Sequence, residues 1–548
     1  MKIIEKLFNP KYILIGIIVI AALLRIWSIG MVPPSPDWDE ASLGYNAFSI
    51  METGKDEYGK FMPIILRSFD DYKPALYTYF IIPFIKVFGL NIISVRLPSV
   101  LFGIVLVLST YFLAKELFGK KGEIIGLVSS FLLAISPWHL QFSRIAFEAQ
   151  VGLSLNVLSV LFFIKGMKRP QLLLPAAIFT SLSIYVYQSE KVYLPILFLV
   201  LAIIYWKDLI RIPKKWVLSA LLVGVILSFP MMYDIATNKE ALMRARGVSV
   251  FSDQTQFLKG NVGKVMEDKK NNDAIGLLID NRRVEYGKAV ISGYISHFDF
   301  NWLFIKGDIE RHHAPFMGLM YLFELPFFLS GIYLLFFGDF SKKTKLTILS
   351  IILITPIPAS ITSGVPHAVR AINFLPVIQI FTAFGLIQSF LYVSKLKFKK
   401  IIYCFTVLFF VFNFAYFLDQ YFIQQNYYFS ENWQYGYEKA IKDIKPIMGD
   451  YKKIVVSNDR PLDQSYIFFL FYLEYPPIQY QNEVKNSSGG FRENHSFGKF
   501  QFRNINWEKE DKNKVLFLGR PEDFPPNVKK IDTVNYLNGK PAIIVVEG

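Results

Sequence analysis

Long apolar runs recur along most of the chain and limit its fold more than any other feature. An α-helix needs about 20 mainly apolar residues to cross a bilayer, and a helix satisfies its own backbone hydrogen bonds there. Each run therefore predicts a membrane-spanning helix, about eleven in all. The predicted spans are Tyr12–Met31, Ser94–Ala114, Gly122–Pro137, Ala149–Ile164, Leu172–Tyr187, Val192–Tyr205, Trp216–Met232, Phe316–Phe337, Leu346–Ile361, Ile372–Val393 and Ile401–Phe422. These features predict a polytopic α-helical membrane protein.

The basic residues predict the orientation of these helices. Short clusters of Lys and Arg lie in alternate loops, as in Lys165/Lys168/Arg169 and Lys395/Lys397/Lys399/Lys400. Because loops rich in Lys and Arg stay on the cytoplasmic side, the N-terminus is predicted to be cytoplasmic. The formal net charge of +15 thus reflects membrane topology in the cell membrane and does not indicate a nucleic-acid partner.

The remaining segments are predicted to face outward. They are the first outer loop (residues 33–93), a large outer loop (residues 233–315) and an extracytoplasmic domain (residues 423–548) that follows a membrane domain over residues 1–422. In the last domain a helix is predicted at Trp433–Ile444 and strands at Lys453–Val456, Val515–Leu518 and Ala542–Val546. This pattern indicates a small α/β domain. The single cysteine, Cys404, excludes an intrachain disulfide and a multi-cysteine zinc site.

The first outer loop concentrates acidic residues. Between residues 36 and 74 it carries Asp37, Asp39, Glu40, Glu52, Asp56, Glu57, Asp70 and Asp71. A positioned carboxylate can take the proton from an acceptor hydroxyl. Carboxylates can also bind a divalent cation, and the possible ligands of such a cation here are Asp37, Asp39 and Asp71. Alternatively, Asp39 caps a helix over Glu40–Met51 and the other acids are simply solvated. That helix and Leu76–Leu90 are predicted to lie in the membrane interface.

Cations are predicted at the outer ends of several spans. They are Lys73, Arg96, Arg144 and Arg370, accompanied by Glu148, His312, His313 and His367. For each residue alone, contact with headgroups or a helix end is an alternative. Their recurrence on the outward side, against the inside bias of Lys and Arg, favours a shared anionic ligand.

These pieces resemble the C-type glycosyltransferase superfamily, in the branch with protein O-mannosyltransferases and the lipid A aminoarabinose transferase. The matching pieces are Asp39-Glu40, Lys73-Pro74-Ala75-Leu76-Tyr77, Arg96-Leu97-Pro98-Ser99 and Arg144 to Glu148, within roughly residues 12 to 210. The resemblance implies that Asp39 is the catalytic base and that Lys73 contacts the lipid phosphate. Tyr72 replaces a glutamate of the aminoarabinose enzyme, and Ala75 replaces the second proline of that branch's motif.

An outward-facing site implies a lipid-linked donor, because nucleotide sugars are cytoplasmic and the inner loops contain no G-x-G-x-x-G motif. The expected partners are a polyprenyl-phosphate sugar, membrane lipids and a protein, lipid or glycan acceptor. The family inverts the anomeric carbon, so the resemblance implies direct displacement, with Glu40 or Asp37 orienting the acceptor or a cation. Lys73, Arg96, Arg370 and Arg144 would neutralise the phosphate.

Two other functions are compatible with the sequence. A transporter or flippase of lipid-linked sugars would carry ionisable groups at mid-membrane and often paired halves. Most of the predicted spans are uncharged, and no internal repeat is visible. A non-catalytic membrane assembly protein would use its outer domain for recognition.

Overall fold

The computed structural model describes residues 9–69, 71–238, 247–252, 258–484 and 494–548. In these ranges, five helical segments are long and apolar enough to cross a membrane. They are Ile92–Ile135, Glu148–Gly166, Lys214–Thr237, Ile372–Val393 and Lys399–Phe429. The first comprises two packed helices, Ile92–Phe118 and Gly122–Ile135, joined by a turn. The predicted helical class, with several apolar helices, is confirmed.

Shorter apolar helices account for most other predicted spans. They are Pro10–Ile26, Leu173–Ser183, Glu190–Ile204, Glu324–Phe337 and Lys342–Ile354. The remaining α-helices of the described ranges are Trp38–Thr53, Leu76–Phe88, Pro137–Arg144, Trp206–Arg211, Lys259–Asn271, Ala274–Ile279, Arg282–Ser296, Ile357–Ser360, Gln425–Phe429, Tyr437–Ile444, Ser465–Tyr472 and Pro477–Glu483. The total of about eleven spans stays a prediction.

One predicted span begins later than expected. The predicted Phe316–Phe337 span becomes helical only at Glu324. The preceding residues give their backbone hydrogen bonds to distant segments: Met320 N–H donates to the Leu303 carbonyl at 2.8 Å, and the Leu319 carbonyl accepts from Trp138 N–H at 3.0 Å. Because these groups already have partners outside the helix, the apolar stretch before Glu324 packs as an irregular segment.

Two glycines allow a very close contact between two helices of the bundle. Gly331, on Glu324–Phe337, and Gly385, on Val377–Val393, face each other so tightly that an added Cβ would overlap a backbone carbonyl of the opposite helix. Small residues permit this approach between membrane helices. The helices Glu324–Phe337 and Val377–Val393 therefore depend on glycine at both positions.

Gly385→Ala is expected to lower the free energy of unfolding by about 1–3 kcal/mol, because its methyl group would overlap the Phe327 carbonyl oxygen and push the helices apart. Thermal unfolding of the detergent-solubilised protein measures the loss. Gly224→Ala is the matched control, since its Cβ would meet only the Ala177 methyl at 3.8 Å. Equal midpoints for the two variants would contradict this packing.

The C-terminal residues form a six-stranded mixed sheet. The first outer loop holds the first two strands of the chain, Ile65–Ser68 (β1) and Asp71–Pro74 (β2). The strands of the C-terminal sheet are Lys453–Val456 (β3), His495–Phe497 (β4), Phe500–Phe502 (β5), Val515–Gly519 (β6), Lys530–Asn535 (β7) and Pro541–Glu547 (β8). The order is β4-β5-β3-β6-β8-β7, with β3 parallel to β5 and β6. The three predicted strands are confirmed as β3, β6 and β8. The predicted Trp433–Ile444 helix begins only at Tyr437.

The helix Trp38–Thr53, called the loop helix below, is covered by protein on most of its surface. An added Cβ on Gly44 would collide with the Phe471 ring, and Tyr45 donates to the Tyr475 carbonyl at 3.0 Å. The polar side chains of Asn46 and Ser49 are also buried. The helix itself is confirmed, while its position in the membrane interface stays a prediction.

Candidate active site

Three carboxylates at the start of the loop helix have different environments. Asp37 is the N-cap residue, and its carboxylate accepts from Glu40 N–H at 2.9 Å. Asp37 and Glu40 are fully buried, whereas the side chain of Asp39 is 28% exposed. The helix N-cap, which was the alternative role for Asp39, is therefore Asp37. Among these three, only Asp39 has a side chain that is partly open to solvent.

Glu40 forms a buried two-point ion pair with Arg96. Its carboxylate oxygens accept from Arg96 Nε at 2.9 Å and Nη2 at 2.8 Å, and Oε1 also accepts from Ala146 N–H at 2.8 Å. The carbonyls of Ile29, Pro33 and Ser35 accept the remaining donors of Arg96. All five guanidinium N–H groups thus have partners. This geometry gives Arg96 a positioning role and does not support its predicted contact with a phosphate.

Asp37 is paired with Arg311, a residue that the sequence analysis did not single out. Arg311 Nη1 lies 2.6 Å from Asp37 Oδ2, and the guanidinium stacks 4.7 Å from the centre of the Trp38 ring. Burial raises the pKa of Asp37, and the charge of Arg311 opposes that rise. The run Glu310-Arg311-His312-His313 directly before an apolar segment was the available sequence signal.

Asp39 forms an ion pair with Lys73, which a short hairpin positions. The strands Ile65–Ser68 (β1) and Asp71–Pro74 (β2) pair antiparallel and place Lys73 opposite Leu66. We call this pair of strands the lysine hairpin. A residue outside the hairpin also holds its second strand, because the Gln188 side chain donates to the Tyr72 carbonyl at 2.7 Å. The Lys73 side chain is 8% exposed, so its ammonium lies close to Asp39 in a largely enclosed position.

The other predicted cations lie in separate environments. Arg144 donates to the carbonyls of Leu24, Arg25 and Val32, so it binds the end of the Pro10–Ile26 helix. A cation is favourable at a helix C-terminus. Arg370 donates to Thr362 Oγ1 at 2.5 Å and to the Ser363 carbonyl at 2.8 Å. Neither geometry supports a direct contact with the phosphate.

The remaining candidates do not lie in one common site. Glu148 begins the Glu148–Gly166 helix, and Asp71 begins the second strand of the lysine hairpin. His312 and His367 lie together, with ring centres 5.0 Å apart, whereas His313 hydrogen-bonds to the Ala314 carbonyl. Asp70, named above among the acids, lies outside the described residues. Asp37 and Asp39, considered as cation ligands, face Arg311 and Lys73 instead.

A cavity of about 420 Å³ opens beside the start of the first outer loop. Pro34 and Ser35 line one side, and residues from Tyr435 to Asp443 line the other. Ser35 also donates to the Trp433 carbonyl, and Trp38 N–H donates to Gln434 Oε1 at 3.1 Å. The segment after the last apolar helix therefore contacts Ser35 and Trp38, which lie next to Asp37 in the sequence.

Glu57 is a buried acid of the same loop, and its side chain is bonded to Asn46. Its Oε1 accepts from Asn46 Nδ2 at 3.0 Å, and its backbone N–H donates to Asn46 Oδ1 at 3.0 Å. Burial raises the pKa of Glu57 to about 8, while the Asn46 hydrogen bond opposes the rise. The folded protein therefore holds this proton more tightly than the unfolded chain does.

Glu57→Gln is expected to become increasingly stable relative to the native protein as the pH rises from about 4.5 to about 8. Over that interval the unfolded Glu57 releases its proton while the folded residue retains it, which lowers the free energy of unfolding of the native protein. Glutamine keeps the acceptor for Asn46 and does not titrate. Thermal unfolding midpoints across pH measure the effect, with exposed Glu52→Gln as control. A constant difference between Glu57→Gln and native midpoints would contradict the assignment.

Comparison with known proteins supports a glycosyltransferase fold. A family model of dolichyl-phosphate-mannose-protein mannosyltransferase matches residues 72–233, a range that includes Lys73, Arg96 and Arg144. A search of curated protein sequences gave no match.

Two solved structures share the fold across most of the chain. ArnT from Cupriavidus metallidurans, bound to undecaprenyl phosphate, is 11% identical with a TM-score of 0.54, and 97% of each chain is covered. The archaeal oligosaccharyltransferase AglB from Archaeoglobus fulgidus, in complex with an inhibitory peptide and a dolichol-phosphate, is 12% identical with a TM-score of 0.51, covering 84% of this chain and 63% of that one. The resemblance to the C-type glycosyltransferase superfamily is confirmed.

Proposed function

We propose that the chain is a membrane glycosyltransferase that moves a sugar from a polyprenyl-phosphate donor to an acceptor at the outer face of the membrane. One observation carries the proposal: Asp39 is partly exposed and ion-paired with Lys73, while Asp37 and Glu40 are buried and held by arginines. Of the three carboxylates at the start of the loop helix, one is thus reachable and lies beside a cation, and the other two fix that arrangement.

This arrangement suits an inverting displacement. Asp39 takes the proton of the acceptor hydroxyl, whose oxygen forms a bond to the anomeric carbon. The bond from that carbon to the phosphate oxygen breaks, and the polyprenyl phosphate leaves. Lys73 stabilises the negative charge that grows on this phosphate. The proton ends on Asp39, and no covalent enzyme intermediate is formed.

The donor class is inferred from orientation and from the fold. The basic loops predict that the first outer loop faces outward, and a lipid-linked donor would carry its sugar to that side. The relatives of known structure hold undecaprenyl phosphate or dolichol-phosphate. We propose that residues 33–93 form the catalytic loop, and that the large outer loop (residues 233–315) and the domain of residues 423–548 select the acceptor.

An assay with purified protein in liposomes distinguishes this proposal from a transporter and from an assembly protein. A radiolabelled polyprenyl-phosphate sugar is supplied with extracted membrane components as acceptors. Transfer releases polyprenyl phosphate and moves the label to a new product. Movement of intact donor between leaflets would identify a transporter, and absence of both would favour an assembly protein.

Lys73→Met is expected to weaken binding of undecaprenyl phosphate about 10- to 100-fold, because a charge-assisted hydrogen bond contributes about 1.5–3 kcal/mol. Binding is measured with the lipid in nanodiscs, in protein whose thermal unfolding midpoint has been checked. The control is Lys55→Met, which removes an exposed lysine of the same loop. Equal affinities for the two variants would exclude Lys73 as the phosphate ligand.

A further inference from the structure

Two loops bring together Asp308, His312 and His367. Asp308 and His312 precede the apolar segment that leads to Glu324–Phe337, and His367 lies before Val377–Val393. One potential ligand atom from each of the three side chains lies within 4.8 Å of the others. Within the described ranges, this is the only set of three His, Cys, Asp or Glu residues with such spacing.

Neighbouring groups already orient these side chains. His312 Nδ1 lies 3.0 Å from Asp308 Oδ2, which also accepts from Ala368 N–H at 2.5 Å. The backbone N–H of His367 donates to His297 Nε2 at 3.2 Å, while Nδ1 of its own ring is buried without a hydrogen-bond partner. The ring of His367 thus has an unpaired nitrogen close to the imidazole of His312 and the carboxylate of Asp308. Together these three side chains offer the kind of donor atoms that bind a metal ion.

We propose that Asp308, His312 and His367 bind one divalent transition-metal ion of the zinc class. Two imidazoles and one carboxylate favour zinc over calcium or magnesium, which prefer oxygen ligands. Donor atoms around tetrahedral zinc lie about 3.3 Å apart, given bonds of about 2.0 Å. The side chains would therefore move together by an ångström or so from their present spacing. Three protein ligands leave a fourth position for water.

The ion would have a structural role, because it would hold two loops together. It would join the segment of Asp308 and His312 to the separate loop of His367. Arg311, which holds Asp37, lies between Asp308 and His312 in sequence. The metal would thereby fix the segment that carries Arg311 relative to the loop of His367. This role does not depend on the proposed sugar transfer, so binding can be tested without an activity assay.

The test uses the full chain in detergent, treated with a chelator, desalted and titrated with Zn²⁺ in a calorimeter. One ion per chain is expected, with affinity lowered at least about 100-fold in Asp308→Asn and His367→Ala, since even indirect partners of a metal ligand contribute 10- to 100-fold. His313→Ala is the matched control: it removes an adjacent buried histidine outside the cluster. Visible absorption of bound Co²⁺ reports whether the coordination is tetrahedral.

The thermal unfolding midpoint, measured with and without Zn²⁺, shows whether each variant is folded. Zn²⁺ is expected to raise the unfolding midpoint of the native protein and of His313→Ala, but not of His367→Ala. The proposal is overturned if the native chain takes up no Zn²⁺, or if Asp308→Asn and His367→Ala bind it as tightly as the native chain. An equal loss of affinity in His313→Ala would also overturn it, because the ion would then lie elsewhere.

Discussion

Asp39→Asn is expected to lower the rate of sugar transfer by about 10²–10⁴-fold, the usual contribution of a positioned general base. Asparagine has almost the same shape and keeps an oxygen that can accept from Lys73, but it cannot take the proton of an acceptor hydroxyl. Binding of undecaprenyl phosphate should be retained, because Lys73 is unchanged. The transfer rate and the lipid affinity are therefore measured on the same preparation.

The matched control for this variant is Glu52→Gln, which neutralises an exposed carboxylate of the same helix. It should transfer sugar at the native rate. A thermal unfolding midpoint close to that of the native protein shows that Asp39→Asn has folded, since Asp39 is partly exposed. If Asp39→Asn transferred sugar as fast as Glu52→Gln, Asp39 would not be the base.

Arg96→Met is expected to lower the free energy of unfolding by about 3–5 kcal/mol, because it leaves Glu40 as an unpaired buried charge. It also removes the donors that satisfy the carbonyls of Ile29, Pro33 and Ser35. The measurement is thermal or denaturant unfolding in detergent, accompanied by the yield of monodisperse protein.

A surface ion pair provides the control for Arg96→Met. Lys168 pairs with Glu116 at 2.7 Å, but the lysine side chain is 71% exposed, so Lys168→Met should cost less than about 1 kcal/mol. The double variant Glu40→Leu/Arg96→Met should recover part of the loss, since no charge remains unpaired. Its recovery should be incomplete because the three carbonyls stay without donors. Equal stability of Arg96→Met and Lys168→Met would contradict the structural role of this pair.

Much of the fold could be predicted from the sequence because its main signals are local. A membrane helix is a continuous apolar run, and short runs of β-branched residues mark strands such as Lys453–Val456. The loop helix was predicted within two residues at each end. The lysine hairpin was not predicted, because its two strands are only four residues long and one contains Pro74.

The roles of the charged residues were harder to predict because their partners are distant in sequence. Arg96 and Arg144 resemble surface cations in the sequence, yet both are fully buried. They donate hydrogen bonds to backbone carbonyls at the end of the first helix and in the residues after it. Arg311 is 274 residues away from Asp37, to which it is bonded. By contrast, the pairing of Asp39 with Lys73 lies within one loop, where the family resemblance pointed to both residues.

The central claim is that the Asp39–Lys73 pair transfers a sugar from a carrier lipid. The most direct measurement is mass spectrometry of polyprenyl phosphates in liposomes that contain the purified protein, extracted lipid-linked sugars and membrane acceptors. The account predicts that the native protein converts glycosylated polyprenyl phosphate to free polyprenyl phosphate and that Asp39→Asn leaves it intact. Conversion at equal rates by both proteins, or by neither, would contradict it.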